Sequence, residues 1–169
     1  MRVVKHDSSF LFSIDSNVNL TVAPSNVALT AGERGSFEFE STRRLKYWID
    51  ASCGEFDYVI IDCPPSLGKL TLNALLAAGH VVIPTTPEPM SVDAIPVFIN
   101  LVAEVRELNT GLHVVGIVLN RMCENEMAHT YYARVLKEQA LYAGTIHKSA
   151  ALVSMSHNKG FICDAEGRK

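Results

Sequence analysis

The residues best suited to chemistry lie in the stretch from Phe56 to Lys69, FDYVIIDCPPSLGK. Tyr58-Val59-Ile60-Ile61 is an unbroken apolar run, and Val and Ile suit a pleated strand better than a helix. Pro64 and Pro65 cannot donate ladder hydrogen bonds, so the strand must stop there. The run predicts a strand covered on both faces, with Asp62 at its carboxyl end, where open α/β sheets hold ligands. A carboxylate there can hold a magnesium ion beside a nucleotide, directly or through water. It can equally do no more than cap the next turn.

Spacing argues against other chemistries. Cys53, Cys63, Cys123 and Cys163 form no C-x-x-C pair and no Cys-His metal pattern, which predicts reduced thiols in a cytoplasmic protein. The six histidines are scattered singly, with no H-E-x-x-H. Gly68-Lys69-Leu70-Thr71 is not a phosphate loop. That loop needs a glycine five residues earlier, where Cys63 stands, and a Ser or Thr directly after the lysine. Lys69 reads as a helix-surface lysine.

The elements that must position Asp62 follow from periodicity. Residues 1–17 form an irregular N-terminal segment, and 18–169 a single α/β domain. Val18 to Val22 alternates as a short strand, and Ser25 caps a short helix stopping near Gly32. Phe37 to Ala51 predicts a helix with Phe39, Leu45, Trp48 and Ile49 inward and Arg43, Arg44 and Lys46 outside. Ser66 caps a helix through Ala78, with Leu67, Leu70, Ala74 and Leu75 inward and Gly79 as its stop. His80 to Pro84 is the next strand. A helix runs from Ser91 or Asp93 to Asn109, the later start keeping Pro96 in its first turn. Leu112 to Leu119 is a strand ending at Asn120-Arg121. Glu124 to Tyr142 predicts a helix burying Ala128, Tyr131, Tyr132, Val135 and Leu136. A strand at Thr145–His147 and a helix from Ser149 to His157 close the chain.

Strands alternating with helices call for a doubly wound, mostly parallel sheet with helices on both faces. The loops at Asp62, at Thr85 to Glu88 and at Asn120 would then converge on one edge of the sheet.

The chain's 169 residues suffice for one cored domain, and 15 basic against 18 acidic residues give a net charge of −3. No global basic field advertises nucleic acid. The opening MRVVKHDSSF carries no long apolar segment, and no run is long enough to cross a bilayer.

FDYVIIDCPPSLGKLTLNALLAAGHVVIPTTPEPMSVDAI resembles the ParA/Soj/MinD-type partition ATPases, which are deviant-Walker P-loop proteins. HVVGIVLNR, VNLTVAPSNVAL and, more loosely, GTIHKSAALVSMSHNKG are similar to further segments of that family. The partition branch fits better than MinD, since no C-terminal amphipathic membrane helix is evident. The likeness implies a P-loop NTPase-like fold that binds ATP and magnesium, with the chain matching the C-terminal two-thirds of such an ATPase. It implies that Asp62 is the Walker B carboxylate acting on magnesium through water. Pro64, Pro65 and Ser66 would shape the loop that senses the γ-phosphate. Pro87 and Glu88 would lie near the rim, and Asn120 with Arg121 would meet the adenine. For Glu88 and Arg121 a surface ion pair is an equal alternative. It also implies a homodimer or partner subunit, a ParB-like partner and nonspecific DNA, with Lys148, Lys159, Arg168 and Lys169 as contact candidates.

The departure from the family is the K-G-G-x-G-K-T loop and the D-x-D aspartate, neither of which occurs in these residues. Without the phosphate-loop strand, aliphatic side chains beside Asp62 lose cover at roughly 1.5–3 kcal/mol each. The expectation is a truncated ParA-like chain unable to hydrolyse ATP alone, or a non-catalytic module acting through dimer or partner contacts. Its own residues Phe10 to Ile14, a twin subunit or another protein would fill the gap.

Overall fold

The computed structural model describes residues 12–15, 18–25 and 39–150. Its contacts divide the chain into two compact units, Met1–Gly79 with Leu101–Leu112, and His80–Asn100 with His113–Lys169.

In the first unit, β1 (Phe12–Asp15) pairs antiparallel with β2 (Val18–Val22), Phe12 opposite Val22 and Ser13 opposite Thr21. Phe12 to Asp15, within the N-terminal segment expected to be irregular, thus form a strand that joins the predicted one at Val18. A 3-10 helix at Phe39–Arg43 runs into α1 (Arg44–Ser52), where a single α-helix from Phe37 was predicted. Leu45, Trp48 and Ile49 are half-buried on α1, as their spacing requires. The second helix, α2 (Lys69–Ala77), buries Thr71, Ala74, Leu75 and Leu76. It starts three residues after Ser66, behind Gly68. Ser66 contributes its carbonyl instead of a side-chain cap, accepting from Thr71 Oγ1 at 2.5 Å. Leu67, predicted inward, is exposed.

The helix stop also differs. Ala78 closes α2 in an extended conformation (φ −81°, ψ 149°), so Gly79 supplies no left-handed cap. The orphan carbonyls are met from a distance by the Asn109 amide.

The strand predicted at Tyr58–Ile61 does not form. The segment carries no regular secondary structure and no ladder pairing among the described residues, and Tyr58 and Ile60 are 87% and 92% exposed. β-propensity reflects packing against neighbours on a pleated surface, and among the described residues no strand lies beside this run.

The second unit holds three parallel strands in the order β3 (His80–Thr85), β4 (His113–Met122) and β5 (Tyr142–His147). The crossovers are α3 (Pro89–Arg106) and α4 (Met127–Lys137). The fold is α/β, a parallel sheet alternating with helices. Val81 and Ile83 of β3, Ile117 and Leu119 of β4, and Ala133 and Leu136 of α4 are buried. Gly116 is required where β4 meets the turn into β5: an added Cβ would lie 2.5 Å from Ala143 Cβ and 2.9 Å from the Leu141 carbonyl.

Two helices depart from expectation. α3 begins at Pro89, so Pro96 falls in its interior. The start is set by Ser91 and Val92, whose N–H groups donate to the Glu88 carbonyl, both at 3.1 Å. Pro96 is exposed, and the Val92 carbonyl that it deprives of a helical donor lies on about the same side. α4 is shorter than predicted, and its buried face is only partly the predicted one: Leu136 is buried and Tyr132 and Val135 half-buried, but Ala128 and Tyr131 are exposed and Ala133 is buried. The helix predicted from Ser25 lies at residues 26–32, outside the described residues, as does the closing helix beyond position 150.

Candidate functional site

The carboxyl ends of β3, β4 and β5 share one edge because the strands are parallel and adjacent. At β3 the chain leaves through Thr85-Thr86-Pro87-Glu88. Pro87 is fully buried, and Thr86 Oγ1 and Ser91 Oγ share a 2.8 Å hydrogen bond that ties this loop to the first turn of α3. Glu88 is exposed.

At β4 the strand carries a bulge. Leu119 is opposite Thr145 and Met122 opposite His147, so three steps on β4 match two on β5. The extra residue is accommodated at Asn120-Arg121, where Arg121 has a φ of 58°, among the described residues the one non-glycine in the left-handed region. A bulky residue rarely adopts that conformation, and its strain is typically stored where a side chain must be aimed. The Asn120 side chain supports it: Arg121 N–H donates to Asn120 Oδ1 at 2.9 Å. Arg121 is exposed and Asn120 half-buried.

Beyond the bulge, Met122, Cys123, Glu124, Asn125, His147 and Lys148 line an open concavity. Lys148 N–H donates to the Met122 carbonyl at 2.9 Å and pins the end of β5 to β4. His147 Nε2 lies 3.2 Å from Glu124 Oε1. Cys123 N–H donates to His129 Nδ1 at 3.2 Å, which leaves Nε2 to face Glu126 Oε2 at 3.0 Å. These flanking groups were missed in the sequence. Their one signal was position, directly after the predicted strand ends at Asn120 and His147.

Asp62 lies in the other unit, exposed, on the segment without regular secondary structure. Pro64, Pro65 and Ser66 follow it, also exposed. Cys63 Sγ faces the Ile61 carbonyl at 3.9 Å. Desolvation by the surrounding chain and, secondarily, the Asp62 charge push the Cys63 thiol above its ordinary value. Among the described residues no group of three or more His, Cys, Asp or Glu could hold a metal ion. Of the DNA-contact candidates, Lys148 is exposed just past β5, while Lys159, Arg168 and Lys169 lie outside the described residues.

A family model described as an AAA domain matches residues 4–114. The sporulation initiation inhibitor protein Soj of Bacillus subtilis (strain 168) is 40% identical over 106 residues, covering 62% of this chain and 42% of Soj. The chain belongs to the ParA/Soj/MinD family of AAA-domain proteins. Among solved structures, a putative plasmid partition protein from Borrelia burgdorferi B31 bound to AMPPNP is similar, with a TM-score of 0.70 and 28% identity. The match covers 91% of this chain and 61% of that one. Cobyrinic acid a,c-diamide synthase from Mycobacterium smegmatis with bound ADP and magnesium gives 0.73 and 28%, over 84% and 59%. The chain thus spans less than two thirds of the length of each of these proteins. No described helix is long and apolar enough to cross a membrane.

Proposed function

We propose that this chain is a ParA-like partition protein, serving plasmid or chromosome segregation within a nucleotide-binding family. The observation that carries the reading is the strained Arg121 on the Asn120 bulge, at the carboxyl edge of a parallel sheet. Asn120 and Arg121 take the adenine end of ATP, in the concavity that Cys123, Glu124 and His147 border. Asp62 holds magnesium through water, on the loop that Pro64, Pro65 and Ser66 shape. Lys148 and Lys159 contact nonspecific DNA, and a twin subunit and a ParB-like partner complete the assembly.

The donor set fits only part of that ligand. Magnesium takes one or two carboxylates and shares the phosphate oxygens, so a single Asp62 suits it. Cradling the phosphates requires successive backbone N–H groups and a lysine beside Ser or Thr, and these residues contain no such loop. No hydrolytic step is therefore assigned to the chain. The second reading, a non-catalytic module acting through dimer or partner contacts, rests on this missing cradle. The M. smegmatis synthase is a reminder that a shared fold does not carry a shared activity.

The test is a calorimetric titration of the full chain with ATP and magnesium. Weak binding that Asn120→Ala abolishes supports the first reading. Saturating ATP without any heat or chemical-shift change favours the second. Tight binding lost in Asp62→Ala would overturn the weight placed on the missing cradle. A DNA titration at rising salt completes it, since phosphate contacts weaken steeply with ionic strength.

A further inference from the structure

We propose that His80 and His113 form a two-histidine site for a borderline divalent transition-metal ion such as Ni²⁺, Zn²⁺ or Cu²⁺. The two residues are register partners at the amino ends of adjacent parallel strands, so their side chains leave the same face of the sheet. Both are exposed, and their ring centroids are 6.3 Å apart. Imidazole nitrogens ~2.0–2.1 Å from one metal ion put two ring centroids roughly 5–6.5 Å apart for tetrahedral to linear arrangements. The observed separation lies in that range, and small side-chain rotations bring it to the tetrahedral end.

The surroundings favour this chemistry. Val82 and Val115, the next residues on the same face of β3 and β4, are each more than half exposed and offer no competing charge. Neutral imidazole suits borderline ions and serves hard Mg²⁺ poorly, so the pair discriminates against the magnesium that a nucleotide would bring. With two protein ligands, water fills the remaining positions, and affinity is modest. The pair stands at the opposite end of β3 from the Thr85 loop, about 17 Å away at ~3.3 Å per residue. A metal ion here would clamp β3 to β4 without touching the concavity beside Arg121.

The experiment is a calorimetric titration of the full chain with NiCl₂ in excess MgCl₂. One equivalent is expected to bind, weakened by about tenfold or more in His80→Gln and in His113→Gln. His129→Gln and His147→Gln should leave it unchanged. Both test positions are exposed, so the variants should melt with the wild type. Substoichiometric Cu²⁺ added to the wild-type chain should also broaden the amide signals of His80 and His113 before any others. Absence of Ni²⁺ binding, equal binding to the double variant, or broadening centred elsewhere overturns the site.

Discussion

Asn109 Nδ2 donates to the carbonyl of Ala78 at 2.8 Å, joining the turn after α3 to the C-cap residue of α2 across 31 positions of sequence. The same amide reaches the Leu75 carbonyl at 2.9 Å. One side chain thus satisfies two of the four carbonyls that a helix end leaves without donors. Asn109→Ala should cost about 1–3 kcal/mol, because two half-buried carbonyls lose their partner. Asn109→Asp should be at least as damaging, since it removes both donors and sets a negative charge at a helix carboxyl end. Urea unfolding of the three chains measures this, and equal midpoints would refute the capping role.

Gly116 has no room for a methyl group, given Ala143 Cβ at 2.5 Å and the Leu141 carbonyl at 2.9 Å from the ideal Cβ position. The nearer contacts include backbone, which cannot swing away. Gly116→Ala should destabilise by ~1–3 kcal/mol through overpacking between β4 and β5. A Gly116→Ala/Ala143→Gly double variant should recover part of the loss, read from thermal melting.

Ile60 and Leu119 are both aliphatic, yet Ile60 is 92% exposed and Leu119 fully buried. Leu119→Ala should cost ~2–5 kcal/mol. Ile60→Ala should stay within about 0.5 kcal/mol. A cost at Ile60 comparable to that at Leu119 would mean that the Tyr58–Ile61 run is packed in solution as a strand.

Asp62 and Cys63 are coupled by charge. The Cys63 thiol is held above its ordinary value by desolvation and then by the Asp62 carboxylate. Thiolate is the reactive form, so native Cys63 should alkylate more slowly near pH 8 than in the unfolded chain. Asp62→Asn removes the second cause, lowers the thiol's value and should raise the rate at that pH. The sign for stability follows. A raised value keeps the proton on the folded state, so this group's contribution is full below the unfolded value and is lost as pH rises through the folded one. Peptide mapping after iodoacetamide treatment reads the rate, and an unchanged rate in Asp62→Asn would remove the coupling.

The strand-forming runs at His80, Leu112 and Thr145 were legible because alternation and β-branching are local properties, and each became a strand of the parallel sheet. The strand predicted to end at Asn120-Arg121 instead continues through a bulge there to Met122. The left-handed Arg121 was not legible, because a bulge exists only when two strands are laid in register. Nor was the whole buried face of α4: Leu136 was legible, but Glu124 to Tyr142 offers apolar residues on more than one face, and packing selects Ala133 over Ala128 and Tyr131.

By itself the sequence determined the α/β alternation and the family through the segment around Asp62. These rest on residue types and short-range spacing, which a linear chain carries in full. Tertiary structure alone decided that Tyr58–Ile61 stays out of any ladder with Tyr58 and Ile60 exposed, that Asn109 caps α2, and that His80 faces His113. Each depends on which distant segment lies alongside, and propensity specifies a conformation without specifying a neighbour.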